Sequence, residues 1–122
     1  MKYLYKFNES KYKQEEEIKN FCEEHLVNLF DIGFKFSVNL YLNYYVIQIF
    51  NSNSQNFELI ESDLKSFLDF IPYEIIPFKD KIGKLKDIAI NGIGFNINEL
   101  DILLNCNIKI HSIGIKCKVN LC

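Results

Sequence analysis

Cys22 and His25 stand three residues apart in a stretch whose apolar residues recur at helical spacing, and Cys106, His111, Cys117 and Cys122 gather near the end of the chain. Thiolate sulfur and imidazole nitrogen are the usual ligands of zinc, so these are the first residues to weigh for chemistry. Their spacing matches no compact zinc motif. Cys22 and His25 also share a helix face with Phe21 and Leu29, and Cys117 keeps the inward phase of Ile115. Burial in a core, where cysteine behaves as a small apolar side chain, accounts for them without metal, and no metal or other cofactor is expected.

His111 beside Ser112 is only a neighbour pair along the chain, whereas a nucleophile and its base must meet at hydrogen-bond distance with a third group orienting the base. No strand-to-helix nucleophile elbow is present. Glu58, Glu61 and Asp63 cluster where a helix should begin, and carboxylates there are favoured by the helix dipole. Asp63, Leu64 and Lys65 echo the acid-x-lysine element of some nucleases, but they lie inside that same helix with no upstream metal-binding aspartate in a suitable place. No catalytic residues are expected.

Gly92 and Gly94 bracket Ile93 after an apolar run and before a helix start, the general setting of a phosphate-binding turn. The third glycine is replaced by Ile97, and too little chain follows for a dinucleotide-binding fold. A tight turn from strand to helix explains the two glycines.

The strongest lead is an interface. All 18 aromatic residues are Phe or Tyr, and Tyr41, Tyr44 and Phe50 cannot all point inward if Leu40, Leu42 and Ile49 do. An aromatic face rimmed by Asn39 and Gln48 has the composition of a protein contact surface, where tyrosine is enriched. The competing arrangement places the second helix over this face.

The elements that must position these residues follow from periodicity. Residues 2–7 alternate loosely and suggest a short strand. Ile18, Phe21, Cys22, His25, Leu26 and Leu29 predict a helix over about 10–30, with Gly33 just past its end where a left-handed residue is cheapest. From Phe34 the period becomes two, predicting strands at 34–42 and 45–51 joined at Asn43 and Tyr44. That hairpin pairs Leu42 with Tyr45, Leu40 with Ile47 and Val38 with Ile49 on a buried face. Tyr41 with Val46, Asn39 with Gln48 and Ser37 with Phe50 then form the other face. Tyr44 is an awkward second residue for a tight turn, so a longer loop is the alternative.

Residues 51–56 read as a polar loop, and Ile60, Leu64, Phe67 and Leu68 predict a second helix over 59–70, stopped by Pro72. Residues 73–76, between Pro72 and Pro77, must be extended at a sheet edge or crossing segment, followed by a turn at 79–84. The last third predicts a strand at 85–90, the glycine turn, a helix over 97–105 started by Asn96 and Glu99, and a final strand. That strand changes phase between Ile110 and Ile113, which a β-bulge at His111 and Ser112 would reconcile. The two strands flanking this helix would make a right-handed crossover if they are parallel.

The chain has 122 residues, 48% hydrophobic and 25% charged, which suits one globular domain. The fold class expected is α+β: a mixed sheet built on the hairpin at about 34–51 and a C-terminal strand-helix-strand unit, with about three helices packed mainly on one face. Ile, Asn and Lys supply 46 residues, while Arg, Thr and Trp are absent and Ala occurs once, the usage of an AT-rich genome. A chain without arginine lacks the planar fork that reads phosphates and guanine edges. With a net charge of −2 it is expected to bind no specific nucleic acid, and 16 acids against 14 lysines are too balanced for a nucleic-acid mimic. No apolar leader and no membrane-length run appear, so an intracellular, cytoplasmic chain with reduced thiols is expected.

These observations predict a small non-enzymatic protein that acts by binding another protein, in the manner of an inhibitor, immunity or counter-defence protein of a phage or other mobile element. The alternatives are a nucleotide-binding domain or enzyme using the turn at Gly92 and Gly94, and a homo-oligomeric structural protein.

Overall fold

The computed structural model describes the backbone of residues 2–118 and the side chains of residues 14–118. Cys122, one of the metal-ligand candidates, lies outside the described residues.

The first element is helix α1, Lys2–His25, so the short strand expected at 2–7 is helical instead. Within its described part Ile18 and Cys22 are buried, and Lys19 pairs with Glu15 one turn earlier at 2.9 Å. Leu26 separates α1 from the short helix α2, Val27–Asp31. The stop after α2 is built from backbone hydrogen bonds: the Gly33 N–H donates to the Phe30 carbonyl and the Phe34 N–H to the Leu29 carbonyl, both at 3.0 Å. With Gly33 at φ +101° this is a Schellman motif, and its apolar pair, Leu29 and Phe34, is buried.

Strand β1, Lys35–Leu40, and strand β2, Tyr44–Asn56, form the expected hairpin two residues out of the expected register. Leu40 faces Tyr45, Val38 faces Ile47 and Phe36 faces Ile49. A tight two-residue turn at Asn43 and Tyr44 would need positive φ at Asn43 or at both, and among the described residues only Asn91 and Asn107 adopt it without being glycine. The chain therefore uses the longer connection, closed by the Tyr41 N–H donating to the Tyr44 carbonyl at 2.9 Å. A shift of two preserves parity, so the same faces point inward. Leu42, expected in the core, falls in the loop.

Residues 51–56 are not a loop but the far end of β2. Gln55 and Asn56 pair with β7, Lys109–Lys118, after a register break in which residues 51–54 stand opposite His111 alone. The irregularity lies where the phase change predicted it, but the extra residues are on β2. Helix α3, Phe57–Phe70, follows directly and buries Phe57, Ile60, Leu64, Phe67 and Leu68. Beyond Pro72 the extended segment bridges the sheet at Ile75 and Cys117, with the Ile76 N–H donating to the Lys116 carbonyl at 2.8 Å.

The chain then makes a small ribbon, β3 at Phe78–Lys79 paired with β4 at Leu85–Lys86. Strand β5, Ile88–Ile90, turns through Asn91 at φ 53° and Gly92 at φ 81° into β6, Ile93–Phe95. This is an asparagine-glycine hairpin turn rather than the expected turn from strand to helix. A 3₁₀ turn at Ile97–Glu99 leads into helix α4, Leu100–Leu104, and the Asn96 N–H donates to Glu99 Oε1 at 3.3 Å as the capping pair predicted.

The five-stranded sheet runs β1-β2-β7-β5-β6, and every neighbouring pair is antiparallel, β5 and β7 included. The condition for a parallel crossover is not met. The α+β fold holds, but the sheet expected to be mixed is antiparallel throughout, because β7 returns beside β5 in the opposite sense. Ile18, Cys22, Leu29, Ile60, Leu64, Leu100 and Leu103 all join one buried cluster with Tyr45, Ile47, Ile49, Ile113 and Ile115. The opposite face has a row of small residues, Gly114, Ala89 and Gly94, and the ribbon crosses it. A Cβ at Gly114 would sit 3.7 Å from Phe78 Cζ, and one at Gly94 would sit 2.6 Å from Lys86 Cγ.

Candidate functional site

Alternation along β1 and β2 puts Asn39, Tyr44, Gln48 and Phe50 on the face opposite the helical core, because Leu40, Tyr45, Ile47 and Ile49 occupy the other. Helix α3 does not cover this face, since its buried residues pack with Ile47 and Ile49. The ribbon meets this side of the sheet at Gly114, where a Cβ would lie 3.7 Å from Phe78 Cζ and 3.4 Å from Nε2 of half-buried Gln48.

The five contact candidates do not form one surface. Tyr44 and Phe50 are six residues apart on β2, about 20 Å along an extended strand. At the hairpin tip Tyr41 folds back so that its ring stacks on Tyr44, with centroids 4.7 Å apart and planes 18° from parallel. The Lys116 ammonium, brought alongside by β7, lies 4.3 Å from the centre of the Tyr44 ring. A cation over an aromatic face is attracted by the ring quadrupole, and the ring is thereby held from two sides. Leu42, on the loop between the stacked rings, is 73% exposed, and Tyr41 is 46% exposed. Asn39 is exposed on β1 beside Val46. Phe50 lies at the other end of the face, between Lys35 and Ser112.

Leu42 and Lys116 are the residues that sequence reasoning missed here. Leu42 continues the inward phase of Leu40 and carries no sign that the strand has ended. Lys116 reaches Tyr44 only through the β2–β7 pairing, which is long-range.

Of the residues first weighed for chemistry, two cysteines lie in the core. Cys22 and Cys117 are both buried, and burial pushes each thiol up to about 12, with their mutual proximity adding to the rise for Cys22. Both are protonated and non-nucleophilic at neutral pH. The His25 ring lies 4.2 Å from that of Phe21 and 6.2 Å from that of Phe70. Cys106 and His111 are exposed, and among the described residues no three metal-ligating side chains come together.

Glu61 accepts from Lys65 at 2.7 Å, and Lys65 also pairs with Asp101, tying α3 to α4. These hydrogen bonds hold the Lys65 ammonium above its usual range. Asp63 accepts from the Asn28 side chain at 3.0 Å and ties α3 to α2. Gly92 and Gly94 belong to the β5–β6 hairpin and precede no helix directly, so the setting of a phosphate-binding turn is not formed.

Among the described residues no helix is long and apolar enough to cross a membrane. Compared with protein-family models, with curated proteins and with solved structures, the chain matches none.

Proposed function

We propose that the chain is a small non-enzymatic binding protein, of the inhibitor or immunity kind, and that the tip of its β1–β2 hairpin is the surface that meets a protein partner. The observation that supports this is the exposed Leu42, carried on a turn whose flanking tyrosines are stacked on each other and capped by Lys116. A large apolar side chain left in water forgoes about 1.5–3 kcal/mol that burial would supply. Aromatic side chains already ordered before contact lose little entropy when they bind. Tyr41 and Leu42 thus form an apolar anchor on a rigid support, with the Lys116 ammonium beside it. The partner this suits has an apolar recess with carboxylates at its rim.

The test is co-purification of the tagged chain from its own host, with L42D and Y41A beside the unaltered protein and L59D, on exposed α3, as control. A protein captured by the unaltered chain and by L59D, and lost with L42D and Y41A, supports the hairpin tip. Equal capture by all four removes it.

A further inference from the structure

Where β2 carries its extra residues, the end of the sheet remote from Tyr41 and Tyr44 has a depression of about 310 Å³ lined by Lys35, Phe50, Asn51, Ser52, His111 and Ser112. That volume is at the lower end of small-molecule sites. Its floor is fixed. Asn51, only 7% exposed, donates from Nδ2 to the Ile32 carbonyl at 3.0 Å and accepts at Oδ1 from the Asn53 N–H at 3.0 Å. The backbone passes so close at Gly33 that a Cβ there would lie 3.2 Å from both polar atoms of the Asn51 side chain. The opposite wall is held by Asn91 of the neighbouring hairpin, whose Oδ1 accepts from the His111 N–H at 2.9 Å and the Ser112 N–H at 3.3 Å.

The chemistry of the lining is one-sided. Lys35 and His111 are its ionisable side chains, Ser52 and Ser112 bring hydroxyls, and no carboxylate is among the described lining residues. An ammonium, an imidazole N–H and two hydroxyls are donors for an oxyanion with several acceptor oxygens. The Phe50 ring, 41% exposed, adds an apolar wall suited to a flat group.

We propose that this depression binds a small phosphate monoester carried on a flat ring, of the aryl phosphate or nucleoside monophosphate class. The oxyanion meets Lys35 and His111, and the ring lies against Phe50. The site stands on different residues from the hairpin tip, so the two readings succeed or fail separately.

The test is a titration of the full chain followed by two-dimensional amide NMR, with phenyl phosphate, adenosine monophosphate, inorganic phosphate and uncharged adenosine as probes. Phenyl phosphate and adenosine monophosphate should give saturable shifts at residues 33–35, 50–53 and 110–112 with dissociation constants of about 1 mM or tighter. Inorganic phosphate should bind more weakly at the same place, and adenosine should not bind. K35M and H111Q should each weaken binding about tenfold, the effect of losing one charge-assisted hydrogen bond. F50A should weaken the two ring-bearing probes and spare inorganic phosphate. The spectra also report whether each variant is folded. No saturable shift by ~10 mM probe would overturn the proposal, as would binding unchanged in both K35M and H111Q. Equal affinity for inorganic phosphate and phenyl phosphate would overturn the part played by the ring.

Discussion

Tyr41 and Tyr44 stack at 4.7 Å across the turn that carries Leu42, so the exposed end of the hairpin is braced by its own side chains. An aromatic pair of this kind contributes about 0.5–1.5 kcal/mol beyond its buried area. Y44A removes both the pair and the ring under Lys116 and should lower the stability measured by urea unfolding by about 1–2 kcal/mol. L42D, at a position facing water, should leave stability within about 0.5 kcal/mol of the unaltered chain. A large loss in L42D would mean that Leu42 is packed.

The two glycines under the ribbon should respond oppositely to an added methyl group. At Gly114 a Cβ meets neighbours at ordinary contact distances of 3.4 and 3.7 Å, so G114A should be neutral or stabilising by a few tenths of a kcal/mol, up to ~1. At Gly94 it would lie 2.6 and 2.7 Å from Lys86 Cγ and Cβ, so β4 must move. G94A should cost about 1–3 kcal/mol by overpacking, read from urea midpoints of the two variants side by side.

Alkaline pH should unfold the chain earlier than its surface charges alone would suggest. Burial raises the Cys22 and Cys117 thiols from 9.0 to about 12 and, with nearby Glu15 and Glu17, the Tyr45 hydroxyl from 10.0 to about 12. Burial also raises Tyr73, helped by its hydrogen bond to Glu17. Each group ionises more readily in the unfolded chain, so its contribution to stability is complete below about pH 9 and is lost as pH rises toward 12. Urea midpoints should be level up to about pH 8.5 and fall steadily above it. Alkylation at pH 8 followed by mass spectrometry should mark exposed Cys106 and spare Cys22 and Cys117 until the chain is unfolded.

Much of the framework was legible because it depends on local periodicity. Ile18 and Cys22 marked the buried stripe of α1, Gly33 the stop of α2, Pro72 the end of α3, and Asn96 with Glu99 the start of the 3₁₀ turn before α4, although the single helix expected over 10–30 is broken at Leu26 into α1 and α2. What escaped depends on contacts between distant residues. The hairpin faces could be read but not the register, since a slip of two leaves the same residues inside. Residues 51–54 looked like loop because a strand that bulges beside solvent keeps polar side chains. Asn91 and Gly92 carried a hairpin signature, but the glycine spacing drew the reading toward a phosphate turn. At the candidate site Tyr41 and Tyr44 could be placed outside by exclusion, while their stacking, the Lys116 cap and the separation of Phe50 required the sheet order.

The most direct measurement of the central claim is the dissociation constant of the captured partner for the unaltered chain, L42D and K35M, by calorimetry on purified proteins. Replacing a buried anchor leucine by a carboxylate should weaken binding at least 30-fold, about 2 kcal/mol, whereas K35M, at the other end of the face, should change it less than about threefold. Equal affinities for the unaltered chain and L42D would contradict the assignment of the hairpin tip as the binding surface.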